Sequence, residues 1–216
     1  MKNILIIAAH PDDEILGCGG TILKNISLKN KVNVLYISDG VGGRYENKFD
    51  KKRNYEINER KNMAIKASKY AKFKIVDFLG LENLELNKYK NIFINDKIFK
   101  VLKQIKPDAI FTNHPGDNNI DHRITFESTF TACRPNNYFK IKEFYTYEIP
   151  SSTDWARHRE RSRPAHQRVC TLRLTALPRP SNASTAAPTP HHAGCHSAAT
   201  AMPAQSHGRE KNSEHL

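Results

Sequence analysis

The stretch NILIIAAHPDDEILGCGGTI, Asn3–Ile22, decides how this chain of 216 residues is read. Its first seven positions open on an apolar run, the pattern of a strand buried on both faces. His10 and three acids end that run, and a helical pattern begins at Ile15. A dinucleotide-binding turn needs its glycines directly behind the strand. Here Gly17, Gly19 and Gly20 fall later, inside the first helix, and carboxylates at the strand end would repel a pyrophosphate. Nucleotide binding is therefore set aside.

Further along, short β-branched runs alternate with helical patterns, which reads as βαβ units and a mostly parallel sheet in an α/β fold. Strands are expected at Asn3–Ala9, Val32–Ser38, Lys74–Phe78, Ala109–Thr112 and Glu143–Glu148. Helices are expected at Ile15–Lys29, Ile57–Ala71, Ile92–Ile105 and His122–Ala132, the second burying Ile57, Ala64, Ala67 and Ala71. Right-handed crossovers bring every strand C-terminus to one edge, and ligands bind beyond that edge. The loops after the first, second and fourth strands, at His10–Glu14, Ser38–Gly40 and Asn113–Asp117, converge there.

The net charge of +12 divides at Trp155. Before it stand 25 basic and 19 acidic residues; from it onward, 9 and 3. The body is mildly basic with interspersed charges, so a solvated face accounts for it better than a nucleic-acid surface. Cys18, Cys133, Cys170 and Cys195 follow no disulfide or CxxC zinc spacing; Cys18 and Cys133 read as small buried hydrophobes. The N-terminal apolar run is too short for a signal peptide, no run reaches a membrane span, and a reducing cytoplasm is the expected compartment.

The chain also changes composition at Trp155. The last Phe, Tyr and Ile are Phe144, Tyr147 and Ile149, and residues 156–216 are dominated by Ala, Pro, Arg, Ser, Thr and His. Two regions are expected: a folded domain at 1–155, and a largely irregular, low-complexity tail at 156–216 with too little apolar surface to offset its ordering entropy. A frameshift, fusion or assembly junction accounts for the switch, and a native low-complexity tail is the alternative. His191, His192, Cys195 and His196 in the tail are read as an adventitious cluster.

His10 and Asp13 behind the first strand offer the mixed N/O donors that suit a catalytic zinc. Asp12, between them, points elsewhere and is free to act as a base. The same stretch also reads as a helix start whose acids the dipole favours. The second half of the constellation is HPGDNNIDHR, His114–Arg123. His122 can supply a third ligand, and Asp121 can orient an imidazole from behind. Three ligands with an open position describe a catalytic site, whereas structural zinc is closed by four.

AHPDDE followed by GCGGT and then the Asp117–His122 stretch resembles the PIG-L/LmbE-type N-acetylglucosaminyl deacetylase family, from Met1 to about Trp155 and including TACRP and EIPSSTDW. The resemblance implies a Rossmann-like three-layer sandwich acting on a small N-acetylated sugar or glycoconjugate. It implies zinc (Zn2+) on His10, Asp13 and His122, with Asp12 as general base. The metal would activate a water and polarise the acetyl carbonyl. Many members read HxDH where this chain has Asn119, which cannot titrate but can donate a hydrogen bond to an oxyanion. Protonation of the leaving amine then falls to Asp12 or to His114. Arg44 and Arg60 are candidate substrate contacts, weighed against a solvated loop for Arg44 and an ion pair with Glu56 for Arg60. A competing reading is an incomplete member that binds metal without turning over, and a third is a basic tail that binds nucleic acid.

Overall fold

The computed structural model describes residues 1–153 and 170–172. Strands β1 (Asn3–Ala8), β2 (Lys31–Ser38), β3 (Lys74–Leu81), β4 (Ala109–Asn113), β5 (Glu143–Tyr147) and β6 (Cys170–Leu172) form one sheet in the order β3-β2-β1-β4-β5-β6. The first five strands pair in parallel; β6 alone runs antiparallel, on the β5 edge. Helices α1 (Asp13–Ser27), α2 (Lys51–Ala71), α3 (Asn91–Ile105) and α4 (Ile120–Ala132) are the crossovers, and α5 (Pro150–Thr153) is a single short turn. No helix of the described residues is long and apolar enough to cross a membrane.

The apolar run that opens the chain is the centre of the molecule. Ile4, Ile6 and Ala8 face one core with Cys18 and Ile22 of α1 and Ala64 and Ala71 of α2. Leu5 and Ile7 face the other, with Ile94, Ile98 and Leu102 of α3 and Ala132 of α4. Helices therefore cover both faces, and the result is a three-layer α/β sandwich. Each fully buried Leu or Ile contributes about 1.5–3 kcal/mol over its exposed state.

The elements match the pattern read from the sequence with local differences. Helix α2 starts at Lys51, six residues early, because the Asp50 carboxylate accepts from Lys52 N at 2.7 Å and caps it. Its buried positions are Ala64, Ser68 and Ala71, while Ile57 and Ala67 are half-buried. Strand β3 runs on to Leu81 through two register shifts against β2. Cys18 and Cys133 are free and buried. Among residues 156–216 the described backbone of Cys170–Leu172 is a regular edge strand, which the composition does not suggest. The other tail residues, with the His/Cys cluster, lie outside the described residues.

One glycine of the opening motif has a packing reason. A Cβ on Gly17 would stand 2.2 Å from the Tyr147 ring, so the helix can lie against the end of β5 only without a side chain there.

Candidate metal centre

The backbone reverses sharply after β1. His10 O accepts from Asp12 N at 3.0 Å and Asp13 N at 3.3 Å, and His10 N donates to Asp13 Oδ2 at 3.0 Å. That turn puts the Asp13 carboxylate beside its own histidine at the first position of α1, where the helix dipole favours negative charge. His122, in the first turn of α4, reaches the same point from the other side of β1. His10, Asp13 and His122 are all buried, and their donor atoms lie within 4.8 Å of one another.

The facing atoms lie closer still. His10 Nδ1 is 3.2 Å from His122 Nε2, His10 Nδ1 is 3.5 Å from Asp13 Oδ2, and His122 Nε2 is 3.4 Å from Asp13 Oδ2. Tetrahedral coordination at about 2.0–2.1 Å separates donor atoms by about 3.3–3.4 Å. The triangle therefore has the size and the donor chemistry of a three-ligand metal face.

The opposite ring nitrogens are committed elsewhere. His10 Nε2 donates to Asp121 Oδ2 at 3.1 Å, and His122 Nδ1 lies 3.0 Å from Asp117 Oδ2 in a buried ion-pair contact. Each carboxylate fixes its histidine's tautomer and turns the other nitrogen inward. Asp121 is fully buried and also accepts Leu84 N at 2.7 Å and Leu86 N at 3.4 Å. It is thus placed to orient the His10 imidazole from behind. Asn113 Oδ1 accepts Ala9 N at 3.0 Å and the Tyr147 hydroxyl at 3.3 Å, so its amide nitrogen donates to Asp13 Oδ2 at 3.1 Å.

Without a cation the cluster retains protons. Burial works against a charged His10, but the Asp13 and Asp121 carboxylates outweigh it and raise its pKa to about 10. Burial likewise works against a charged Asp13, yet His10 and His122 hold it at about 2. Behind the triangle, burial pushes the fully enclosed Glu14 up to about 7. Neither its carboxylate nor the Tyr36 hydroxyl has a well-formed hydrogen bond among the described residues.

A cleft of about 250 Å³ opens above the triangle, lined among others by Asp12, Arg44, Arg60, Asn119 and Ser152. Asp12 stands outside the triangle, and its Oδ2 accepts from Arg60 Nη1 at 2.5 Å. Arg60 thus pairs with Asp12 in place of Glu56, one turn away on α2. Arg44 is exposed on a 3-10 turn, Gly42–Arg44, whose entry is shaped by Val41 N and Gly42 N donating to Asp39 Oδ1 at 2.8 and 2.7 Å. Asn119 caps α4, its Oδ1 accepting Asp121 N at 2.8 Å, which leaves its amide NH2 as the side chain's donor. His114 is not brought to the cleft: its Nδ1 accepts Gly116 N at 3.0 Å within its own loop.

Of the partners behind the candidate ligands, Asp121 is legible in the sequence beside His122, and Asp117 and Asn113 are not. Asp117 stands in the quoted loop, but only the fold shows that it faces His122. Asn113 reads as a strand end. Asn83 and Leu84, which also line the cleft, come from the loop after β3, a loop with no motif to mark it.

The family described as PIG-L: GlcNAc-PI de-N-acetylase matches residues 5–133. The chain belongs to the PIG-L family. It is 29% identical over 146 residues to a probable N-acetyl-alpha-D-glucosaminyl L-malate deacetylase 2 of Bacillus subtilis (strain 168), covering 66% of this chain and 63% of that protein. It is 24% identical over 155 residues to the uncharacterized deacetylase YaiS of Escherichia coli (strain K12), covering 70% and 76%. The chain thus spans under two thirds of the Bacillus relative. Among solved structures, N,N'-diacetylchitobiose deacetylase from Pyrococcus horikoshii superposes with a TM-score of 0.54 at 24% identity, over 68% of this chain and 60% of that one. The 4-carboxy-2-hydroxymuconate hydratase GalB from Pseudomonas putida KT2440 gives 0.57 at 16%, over 68% and 65%. These likenesses establish the fold, which serves both a deacetylase and a hydratase.

Proposed function

We propose that this PIG-L chain is a zinc-dependent N-deacetylase that hydrolyses the acetamido group of an N-acetylglucosamine-type sugar. The observation that carries the reading is the donor triangle of His10, Asp13 and His122 with Asp12 beside it and outside it. Two imidazoles and one carboxylate are the donor set of a catalytic zinc with an open position. A bound zinc would lower the pKa of a water to about 7 and draw electron density from the acetyl carbonyl.

The protein's residues do the rest. Asp12, aligned by Arg60, accepts the proton of the attacking water and returns it to the departing amine. His114, which does not line the cleft, is given no part. The Asn119 amide donates to the oxygen on which negative charge develops. Arg44 and Arg60 contact hydroxyl or anionic substituents of the sugar at the cleft wall. The family and the deacetylase names of both curated relatives support the reaction class.

An amine-release assay of the zinc-loaded protein on a panel of N-acetylglucosamine derivatives tests this reading. Zinc-dependent release from at least one of them, abolished by chelator and restored by zinc, is expected. Release from none, with a full complement of bound zinc, would overturn it.

A further inference from the structure

We propose that Ser152 and Thr153 of α5 are positioning residues of the metal centre, holding His122 in place through the Asp117 carboxylate. Asp117 is 2% exposed, and both of its oxygens are engaged. Oδ1 accepts Asn119 N at 2.8 Å. Oδ2 accepts the Ser152 hydroxyl at 3.0 Å and the Thr153 hydroxyl at 2.5 Å and lies 3.0 Å from His122 Nδ1, which Ser152 Oγ also approaches at 3.5 Å.

The Thr153 hydroxyl has a single proton, and its acceptor side is taken by Ile149 N at 2.9 Å. That proton is therefore committed to Asp117. With Oδ1 pinned by backbone and Oδ2 by two hydroxyls, the carboxylate cannot swing about its Cβ–Cγ bond. The imidazole hanging from it cannot swing either, so Nε2 stays aimed at the triangle. Burial works against the charge on Asp117, but the hydrogen bond and charge of His122, then the Thr153 hydroxyl, keep its carboxyl below the ordinary range.

The residue type fits the task. A lysine or arginine in α5 would hold Asp117 equally well, but its positive charge would stand close behind the ligand and repel a cation. Neutral hydroxyls orient the carboxylate without that penalty. The arrangement joins the loop before α4 to the chain beyond β5, 36 residues away in sequence. It also brings the metal centre within a few residues of the point where the composition changes.

This inference rests on the metal-centre half of the proposed function and not on the deacetylation half. The test is zinc affinity by chelator competition, with the cobalt(II) absorption spectrum as a second readout, on the full chain and on Ser152→Ala, Thr153→Val, Thr153→Ser and the Ser152→Ala/Thr153→Val pair. Substitutions behind a metal ligand typically weaken affinity about 10–100-fold. Thr153→Val, which keeps shape and loses the hydroxyl, is expected to weaken zinc about 10-fold, the pair towards 100-fold with an altered cobalt spectrum, and Thr153→Ser hardly at all. Wild-type affinity in a folded pair, or in both single variants if the pair does not fold, would overturn the proposal. So would Thr153→Ser falling as far as Thr153→Val, since the methyl group would then be what matters. A wild-type chain that binds no metal would sink the metal-centre reading itself and this inference with it.

Discussion

The two ends of the parallel strands solve different problems. Beyond their C-termini, Asp13, Asp117, Asp121, His10 and His122 are buried in one hydrogen-bond network, each contact depending on the next. At the other end, where α1, α2 and α3 run out, the chain leaves each helix through a lysine in left-handed backbone: Lys29 at φ 59°, Lys72 at φ 61° and Lys106 at φ 49°. There the cation meets the negative end of the dipole, one helix at a time. Changes at the site edge should therefore act together, and changes at the lysine edge should act singly.

The largest effect separates residues within the site edge. His10→Ala and His122→Ala are each expected to lose bound zinc, read by elemental analysis after gel filtration, and with it all activity. Asp12→Asn should keep the full zinc complement and lose about 10²–10⁴-fold in turnover, the range of a general base. Equal zinc loss in all three would make Asp12 a ligand and invert the assignment.

Next in size is the pH dependence of the metal-free protein. His10 has a folded pKa raised from 6.5 to about 10, so its contribution is complete below about pH 6.5 and lost as pH rises through 10. Asp13 is lowered from 3.8 to about 2, so its contribution is present above about pH 3.8 and lost as pH falls through 2. Urea unfolding should show this pair's stabilisation at a plateau between about pH 4 and 6.5, with a decline towards pH 10 that added zinc removes. Stability that rises from pH 7 to 10 without metal would contradict the network.

The smallest effect belongs to the lysine edge. Left-handed backbone costs a residue with a side chain about 1–2 kcal/mol, and glycine gives back part of the gain through its freer unfolded state. Lys29→Gly, Lys72→Gly and Lys106→Gly should each stabilise by about 0.5–1 kcal/mol and add to within about 0.5 kcal/mol, measured by denaturant midpoint. Strong non-additivity would mean that this edge, too, is a coupled network.

The same contrast explains what the sequence discloses. The juxtaposition of the candidate ligands His10, Asp13 and His122 is legible because each sits within a few residues of a strand end or helix start, where local pattern predicts placement. The β1–α1 unit is legible because an apolar run, a polar turn and a helical pattern succeed one another without interruption. What stays hidden depends on residues distant in sequence. Arg60 looks suited to Glu56 one turn away, but the fold hands it Asp12, 48 residues off. His114 is a histidine in the right loop whose turn folds it back on Gly116. The α2 start is hidden for a different reason: the polar first turns of Lys51–Glu56 carry no apolar stripe and depend on the Asp50 cap.

The central claim is that His10, Asp13 and His122 form one face of a single metal site. Zinc-edge anomalous diffraction from crystals of the zinc-loaded protein tests it most directly. One peak is expected about 2.0–2.2 Å from His10 Nδ1, an Asp13 oxygen and His122 Nε2, with Asp12 outside bonding distance. A peak ligated by Asp12 in place of Asp13, or no peak within reach of both histidines, would contradict it.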